Sequence, residues 1–104
     1  MERRISERKK YQQSLTLESP KTGRVTVIGK NISLGGLLIE TGSVSLTPNS
    51  LVFAMFELPR SDGHETFRIE SLVIRATGAE AALMFVRVPL DVIRKLSKGL
   101  SRLP

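Results

Sequence analysis

Short stretches of alternating apolar and polar residues fill most of this sequence, and the spacing becomes helical only near its end. Leu15 and Leu17 begin the alternation, and Phe67, Ile69 and Val73 repeat it further along. A period of two places successive side chains on opposite faces of a strand, as in a half-buried sheet. Many short strands of this kind predict an antiparallel barrel or sandwich.

Turn signals divide the chain into about six predicted strands. The strands are expected at residues 14–18, 24–28, 37–39, 51–58, 66–75 and 81–88. Turns are expected at residues 20–23, 31–36, 42–49 and 59–63, and around Gly78. The dense apolar run at 51–58 is expected to be a buried strand.

The apolar spacing changes to that of a helix after Pro89. The residues that recur at helical intervals are Val92, Ile93, Leu96, Leu100 and Leu103. Asp91 lies near the expected start and several cations follow, which suits the helix dipole. The sequence therefore predicts a mainly β fold with one amphipathic C-terminal helix over about residues 90–101.

The 104 residues suit one domain, and their net charge of +6 favours an anionic partner. Five of the sixteen basic residues lie in the first ten positions, where Ile5 is the single large apolar side chain after Met1. We expect residues 1–10 to form a flexible basic arm and residues 11–104 to form the folded domain. The oligomeric state is left open.

Features of an enzyme are scarce. There is no cysteine, which excludes disulfides, cysteine-ligated zinc and a cysteine nucleophile. His64, the single histidine, directly follows Asp62-Gly63 at the predicted turn, and no carboxylates show ligand spacing. No glycine-rich loop precedes a helix. We therefore expect a non-catalytic protein without a cofactor or metal.

The sequence also carries a prediction of location. No apolar run follows the basic N-terminal residues, so they do not resemble a secretory signal. The longest apolar runs are too short to span a bilayer. A cytoplasmic protein without membrane insertion is expected.

Arg4 and Arg8, with Arg3 beside them, form the first candidate binding motif. A guanidinium can grip a phosphate with two parallel hydrogen bonds, and the same fork fits the O6 and N7 acceptors of guanine. Two arginines four residues apart could therefore clamp a guanine nucleotide. The alternative is a solvated basic tail.

The segment from Asn31 to Gly36 is the second candidate. The Asn31 carbonyl and the Ser33 hydroxyl are acceptors that could meet the N–H donors of guanine. Gly36 is expected either to adopt a positive φ or to let a ligand approach the backbone. The alternative is a turn that connects two strands.

The two motifs, taken in order, resemble the signature of the PilZ domain family, R-x-x-x-R followed by [D/N]-x-S-x-x-G. The resemblance implies a six-stranded antiparallel barrel that binds cyclic di-GMP, with the arginines on phosphate and guanine and the second motif around a base. In the family, the residue just before the first motif arginine, which is Arg3 here, influences whether one or two dinucleotides bind. The predicted ligand-binding residues are Arg3, Arg4, Arg8, Asn31, Ser33, Gly35 and Gly36.

Two departures from the family pattern bear on this site. Asn31 stands where Asp is more common and offers one carbonyl acceptor where a carboxylate offers two, so a lower affinity is expected. Ala82 stands where many members have glycine, which bears on the local geometry.

The leading hypothesis is a receptor that signals to a partner protein not yet identified. One alternative is a basic β-barrel that binds nucleic acid. An aromatic content of 5% argues against it, because single-strand binders stack bases on aromatic side chains. A second alternative is a PilZ-like adaptor that has lost ligand binding.

Overall fold

Six antiparallel strands close into a barrel in the computed structural model, which describes residues 7–104. The elements are β1 (Lys9–Lys10), β2 (Ser14–Ser19), β3 (Gly23–Ser33), β4 (Gly36–Glu40), β5 (Leu51–Arg60), β6 (Gly63–Ala76), β7 (Glu80–Phe85) and α1 (Leu90–Ser101). The neighbours run β3-β2-β5-β6-β7-β4, and pairing of β3 with β4 closes the ring. The predicted six-stranded barrel with one C-terminal helix is confirmed.

The two-residue strand β1 extends one side of the ring. It pairs Lys9 with Ile32 and Lys10 with Asn31, along the edge of β3 that β2 uses further on. Tyr11 anchors the connection, because its ring is buried and its hydroxyl donates to the Glu57 carbonyl oxygen at 2.7 Å. The end of the predicted arm therefore belongs to the barrel. Residues 1–6 of that arm lie outside the described part of the chain.

Alternation along the strands fills the barrel interior with apolar side chains. Phe56 lies at its centre, stacked on Phe67 at 5.5 Å and on Phe85 at 5.8 Å between ring centroids. On β5 every second residue from Val52 to Leu58 is buried, while Leu51 is exposed. The predicted buried run is therefore a half-buried strand, because one of its faces lies on the outside of the barrel.

The C-terminal helix α1 packs across the end of β5 through Leu96 and Leu100. Gly99 permits this close packing, since a Cβ there would lie 2.8 Å from the Leu58 Cβ. The Lys9 ammonium donates to the Leu103 carbonyl oxygen at 3.1 Å and links the helix end to β1. No helix within residues 7–104 has the length and apolar character needed to cross a bilayer.

Two predicted turns are shorter than the sequence suggested. Strand β3 continues through Ser33 and β4 begins at Gly36, so the turn consists of residues 34–35 alone. Strand β5 likewise reaches Arg60 and pairs with the start of β6 at Gly63. Hairpin pairing holds these residues in strands, although their polar and glycine-rich composition is typical of loops.

Candidate ligand-binding site

A cavity of about 190 Å³ opens on the outer face of the barrel, where β3, β4, β7 and β6 lie side by side. Both predicted motifs contribute to its lining. The residues concerned are Arg8, Asn31, Ser33, Gly35 and Gly36. The other two predicted ligand-binding residues, Arg3 and Arg4, lie outside the described residues.

Strand register explains how distant residues reach this cavity. Asn31 on β3 lies opposite Leu38 on β4, which lies opposite Ala82 on β7, and Ala82 lies opposite Arg75 on β6. Adjacent strands are about 4.8 Å apart, so Asn31 and Arg75 lie roughly 14 Å apart when the distance is followed along the curved sheet. The row carries an amide at one end and a guanidinium at the other. Ala82, one departure from the family pattern, lies between them.

Arg75 also lines the cavity, and no sequence pattern identified it as a binding residue. Strict alternation from Phe67 through Val73 would place residue 75 on the core side. The register shifts between Val73 and Arg75, however, and both Ile74 and Arg75 are exposed. A bulge adds one residue to a strand and redirects the side chains that follow. The bulge therefore turns Arg75 outward.

A second row crosses the cavity from Ser33 through Gly36 to Met84. The Ser33 hydroxyl accepts a hydrogen bond from the Gly35 amide at 3.2 Å. The Gly35 carbonyl accepts one from the Phe85 amide at 2.9 Å. The turn after Ser33 is thus held both locally and by β7.

Gly36 is required by close packing of the backbone. A Cβ at this position would lie 2.0 Å from the Leu83 carbonyl oxygen, well inside contact distance. The expectation of a positive φ is wrong, because Gly36 is not among the glycines with positive φ. Glycine lets β7 approach β4 at the wall of the cavity.

Arg8 and Arg75 give the cavity its charge. Within residues 7–104, neither guanidinium forms an ion pair. Lys30, by contrast, is hydrogen-bonded to Glu80, which raises the pKa of the lysine. Arg87 is likewise paired with Glu70. Within the described chain, two exposed arginines are therefore available to an anionic group.

The cavity combines these cations with polar and apolar surface. Asn31 and Ser33 supply amide and hydroxyl groups, while Ile74 and Met84 are 49% and 40% exposed beside them. Such a site suits a ligand with negative charge, a polar edge and a flat apolar face. Among residues 7–104, no group of histidines and carboxylates has the arrangement of a metal site.

An ion pair joins Glu70 on β6 to Arg87, which follows β7, and it predicts a pH dependence of stability. The Glu70 carboxylate accepts two hydrogen bonds of 2.9 Å from Arg87, and these lower its pKa from the ordinary 4.5. A lowered folded-state pKa adds stability above the ordinary value, and that stability is lost as the pH falls through the lowered value. We expect Glu70→Gln to lower the melting temperature more at pH 7 than at pH 3. An equal difference at both pH values in thermal melts would contradict this.

Comparisons with solved structures give the fold a context. The chain superposes on the Bacillus subtilis inhibitor of motility MotI/DgrA with a TM-score of 0.77 and 14% identity, covering 98% of this chain and 54% of that one. The PilZ domain of CeSA from a cellulose-synthesizing bacterium superposes with a TM-score of 0.72 and 19% identity, covering 92% of this chain and 99% of that one. The PilZ domain of Escherichia coli YcgR, solved with cyclic di-GMP, superposes with a TM-score of 0.70 and 15% identity, covering 96% of this chain and 91% of that one. The chain thus spans about half of MotI/DgrA and nearly all of the two isolated domains.

The sequence comparisons identify the family. No curated protein matches the chain. The family model of the PilZ domain matches residues 2–102, which include both motifs and every strand and helix described above up to the end of α1. The chain therefore belongs to the PilZ domain family.

Proposed function

We propose that this protein is a non-catalytic receptor for cyclic di-GMP that signals to a partner protein. The observation that carries the proposal is the cavity that Arg8 and Arg75 line together with Asn31 and Ser33, where neither arginine forms an ion pair within residues 7–104. Membership of the PilZ family supports it. So does the fold shared with YcgR and with Klebsiella MrkH, each of which was solved with cyclic di-GMP.

Each group in the cavity has a chemical counterpart in the ligand. The guanidinium forks of Arg8 and Arg75 fit phosphate oxygens or the O6 and N7 edge of guanine. The Asn31 carbonyl fits the N–H donors of guanine. Ser33 keeps its own O–H donor and a second lone pair while it accepts from the Gly35 amide. Arg3 and Arg4 are assigned further ligand contacts by the family motif.

The size of the cavity bears on how the ligand lies. Its volume of about 190 Å³ is below the roughly 300–1,000 Å³ that encloses a drug-sized molecule. We infer that one part of the dinucleotide enters the cavity and the rest lies along the exposed Ile74 and Met84 side chains and the segment that leads to Arg8.

Titration calorimetry tests the proposed function. We expect saturable binding of cyclic di-GMP and much weaker binding of GTP, because GTP presents one base and cannot occupy both parts of the site. A short single-stranded oligonucleotide tests the nucleic-acid alternative, which predicts affinity that falls steeply with salt. Binding of GTP that equals or exceeds that of cyclic di-GMP would overturn the proposal.

The variant Asn31→Asp tests what the Asn31 side chain faces. Within residues 7–104 the structure gives this side chain no hydrogen bond, so its carbonyl is available to guanine. A carboxylate accepts the N–H groups of guanine at least as well as an amide, and we expect Asn31→Asp to bind cyclic di-GMP with equal or higher affinity in calorimetry. A phosphate at this position would instead be repelled by the added charge. Weaker binding would therefore mean that guanine does not lie beside Asn31.

A further inference from the structure

We propose that a second surface, which we call the basic cleft, binds an acidic segment of a partner protein. The basic cleft lies between the β5–β6 hairpin and α1, outside the cavity assigned to cyclic di-GMP. The proposal depends on the proposed function in one respect, because a receptor without an output of its own requires a partner protein. The shape and the charge of the cleft support the proposal independently of that function.

The basic cleft has a volume of about 350 Å³, larger than that of the ligand cavity. The residues that define it are Arg60, Glu65, Phe67, Lys95, Lys98 and Arg102. Its position is fixed by close packing, because Gly99 brings α1 against Leu58 with no room for a Cβ. The cleft thus forms where the helix crosses the hairpin.

The charges on the cleft are not balanced. Lys95 is paired with Glu65 at 3.6 Å, and Arg60 is paired with Asp62 at 3.2 Å. Lys98 and Arg102 form no ion pair with any other residue of the described chain. The helix dipole favours cations near the end of α1, but Arg60 comes from a different element and faces the same cleft. The surface therefore attracts an anion.

The spacing of the cations favours an extended chain over a single anionic group. Lys95, Lys98 and Arg102 follow one another at intervals of three and four residues, which places them on one face of α1. With a rise of about 1.5 Å per residue, they extend over roughly 10 Å. In an extended peptide, alternate side chains are about 6.6 Å apart on one face. A segment with acidic residues at alternate positions therefore matches the row.

The basic cleft and the ligand cavity lie at opposite ends of β6. Glu65 lines the cleft and Arg75 lines the cavity. Ten residues separate them, or roughly 33 Å along a strand. The two sites share no lining residue, so each interaction can be tested with variants that leave the other site intact.

A labelled peptide provides the test. The probe is a fluorescein-labelled decapeptide of alternating glutamate and serine, and the control probe has glutamine in place of glutamate. Fluorescence anisotropy should show saturable binding of the acidic probe alone. Amide shifts in nuclear magnetic resonance spectra should concentrate at Arg60, Lys95, Lys98 and Arg102.

Two double variants of equal charge separate the cleft from general attraction. Lys98→Gln with Arg102→Gln removes the two cations of the cleft that form no ion pair within residues 7–104. Lys21→Gln with Arg94→Gln removes the same charge from exposed positions outside the cleft. Two exposed charge pairs contribute modestly to the affinity for the peptide. We therefore expect about fivefold weaker peptide binding for the cleft variant and a change in peptide affinity within about twofold for the control. Equal losses in both variants would overturn the proposal.

The remaining outcomes are also decisive. Absence of saturable binding, or amide shifts centred on Arg8 and Arg75, would reject the basic cleft as the docking surface. Both double variants should keep the wild-type affinity for cyclic di-GMP, because none of the four positions lines the ligand cavity. In the wild type, absence of peptide binding together with intact cyclic di-GMP binding rejects this inference alone. Peptide binding without cyclic di-GMP binding rejects only the proposed receptor function.

Discussion

Replacement of Arg8 by alanine is expected to weaken cyclic di-GMP binding by on the order of 2–4 kcal/mol, or about 30- to 1,000-fold in dissociation constant. Arg8 lines the ligand cavity, and its guanidinium forms no ion pair with the rest of the described chain. Its removal leaves a phosphate or a guanine edge without its charged partner. Calorimetry on the wild type and on Arg8→Ala measures the change.

Two further variants make this result specific. Arg24→Ala removes one exposed guanidinium that is paired with Glu18 and lies outside the cavity, and we expect unchanged affinity. Arg75→Ala should weaken binding in the same direction as Arg8→Ala, because the bulge in β6 directs Arg75 into the same cavity. If Arg8→Ala and Arg24→Ala bind alike, Arg8 belongs to a solvated tail and the site assignment fails.

Local patterns in the sequence were sufficient to predict most of the barrel. The alternation of Phe67, Ile69 and Val73 identified the inner face of β6, and all three are buried. The change to helical spacing after Pro89 identified α1. These predictions succeed because burial on one face imposes a period of two on a strand and 3.6 on a helix. The family motif also grouped Arg8 with the segment from Asn31 to Gly36, and both line one cavity.

Features that depend on pairing between distant strands could not be predicted. Arg75 would have been assigned to the core by alternation, and only the bulge opposite β7 turns it outward. Strand β1 pairs with the far end of β3, and Tyr11 beside it is hydrogen-bonded to Glu57 across 46 positions. The basic cleft likewise arises where α1 meets the β5–β6 hairpin, and neither element alone suggests it. The binding roles of the predicted site residues remain predictions.

The two glycines of the second motif should respond differently to alanine, although they are adjacent. Gly36→Ala is expected to lower the free energy of unfolding by about 2–3 kcal/mol, because overpacking forces backbone shifts of that cost. The added Cβ would lie 2.0 Å from the Leu83 carbonyl oxygen, which β4–β7 pairing holds in place. At Gly35 the nearest atom to a Cβ is the Ser33 Oγ at 3.9 Å, and the φ of Gly35 is not positive.

Gly35→Ala is therefore the matched control, and we expect its unfolding free energy to stay within about 0.5 kcal/mol of the wild type. Urea denaturation with an unchanged m-value measures both effects. The comparison also separates two reasons for a glycine at position 36. If glycine were needed there only to let a ligand approach, Gly36→Ala would lower the affinity for cyclic di-GMP and leave the unfolding free energy unchanged. Because the atom in the way belongs to the backbone of β7, we expect the loss of stability without any ligand present.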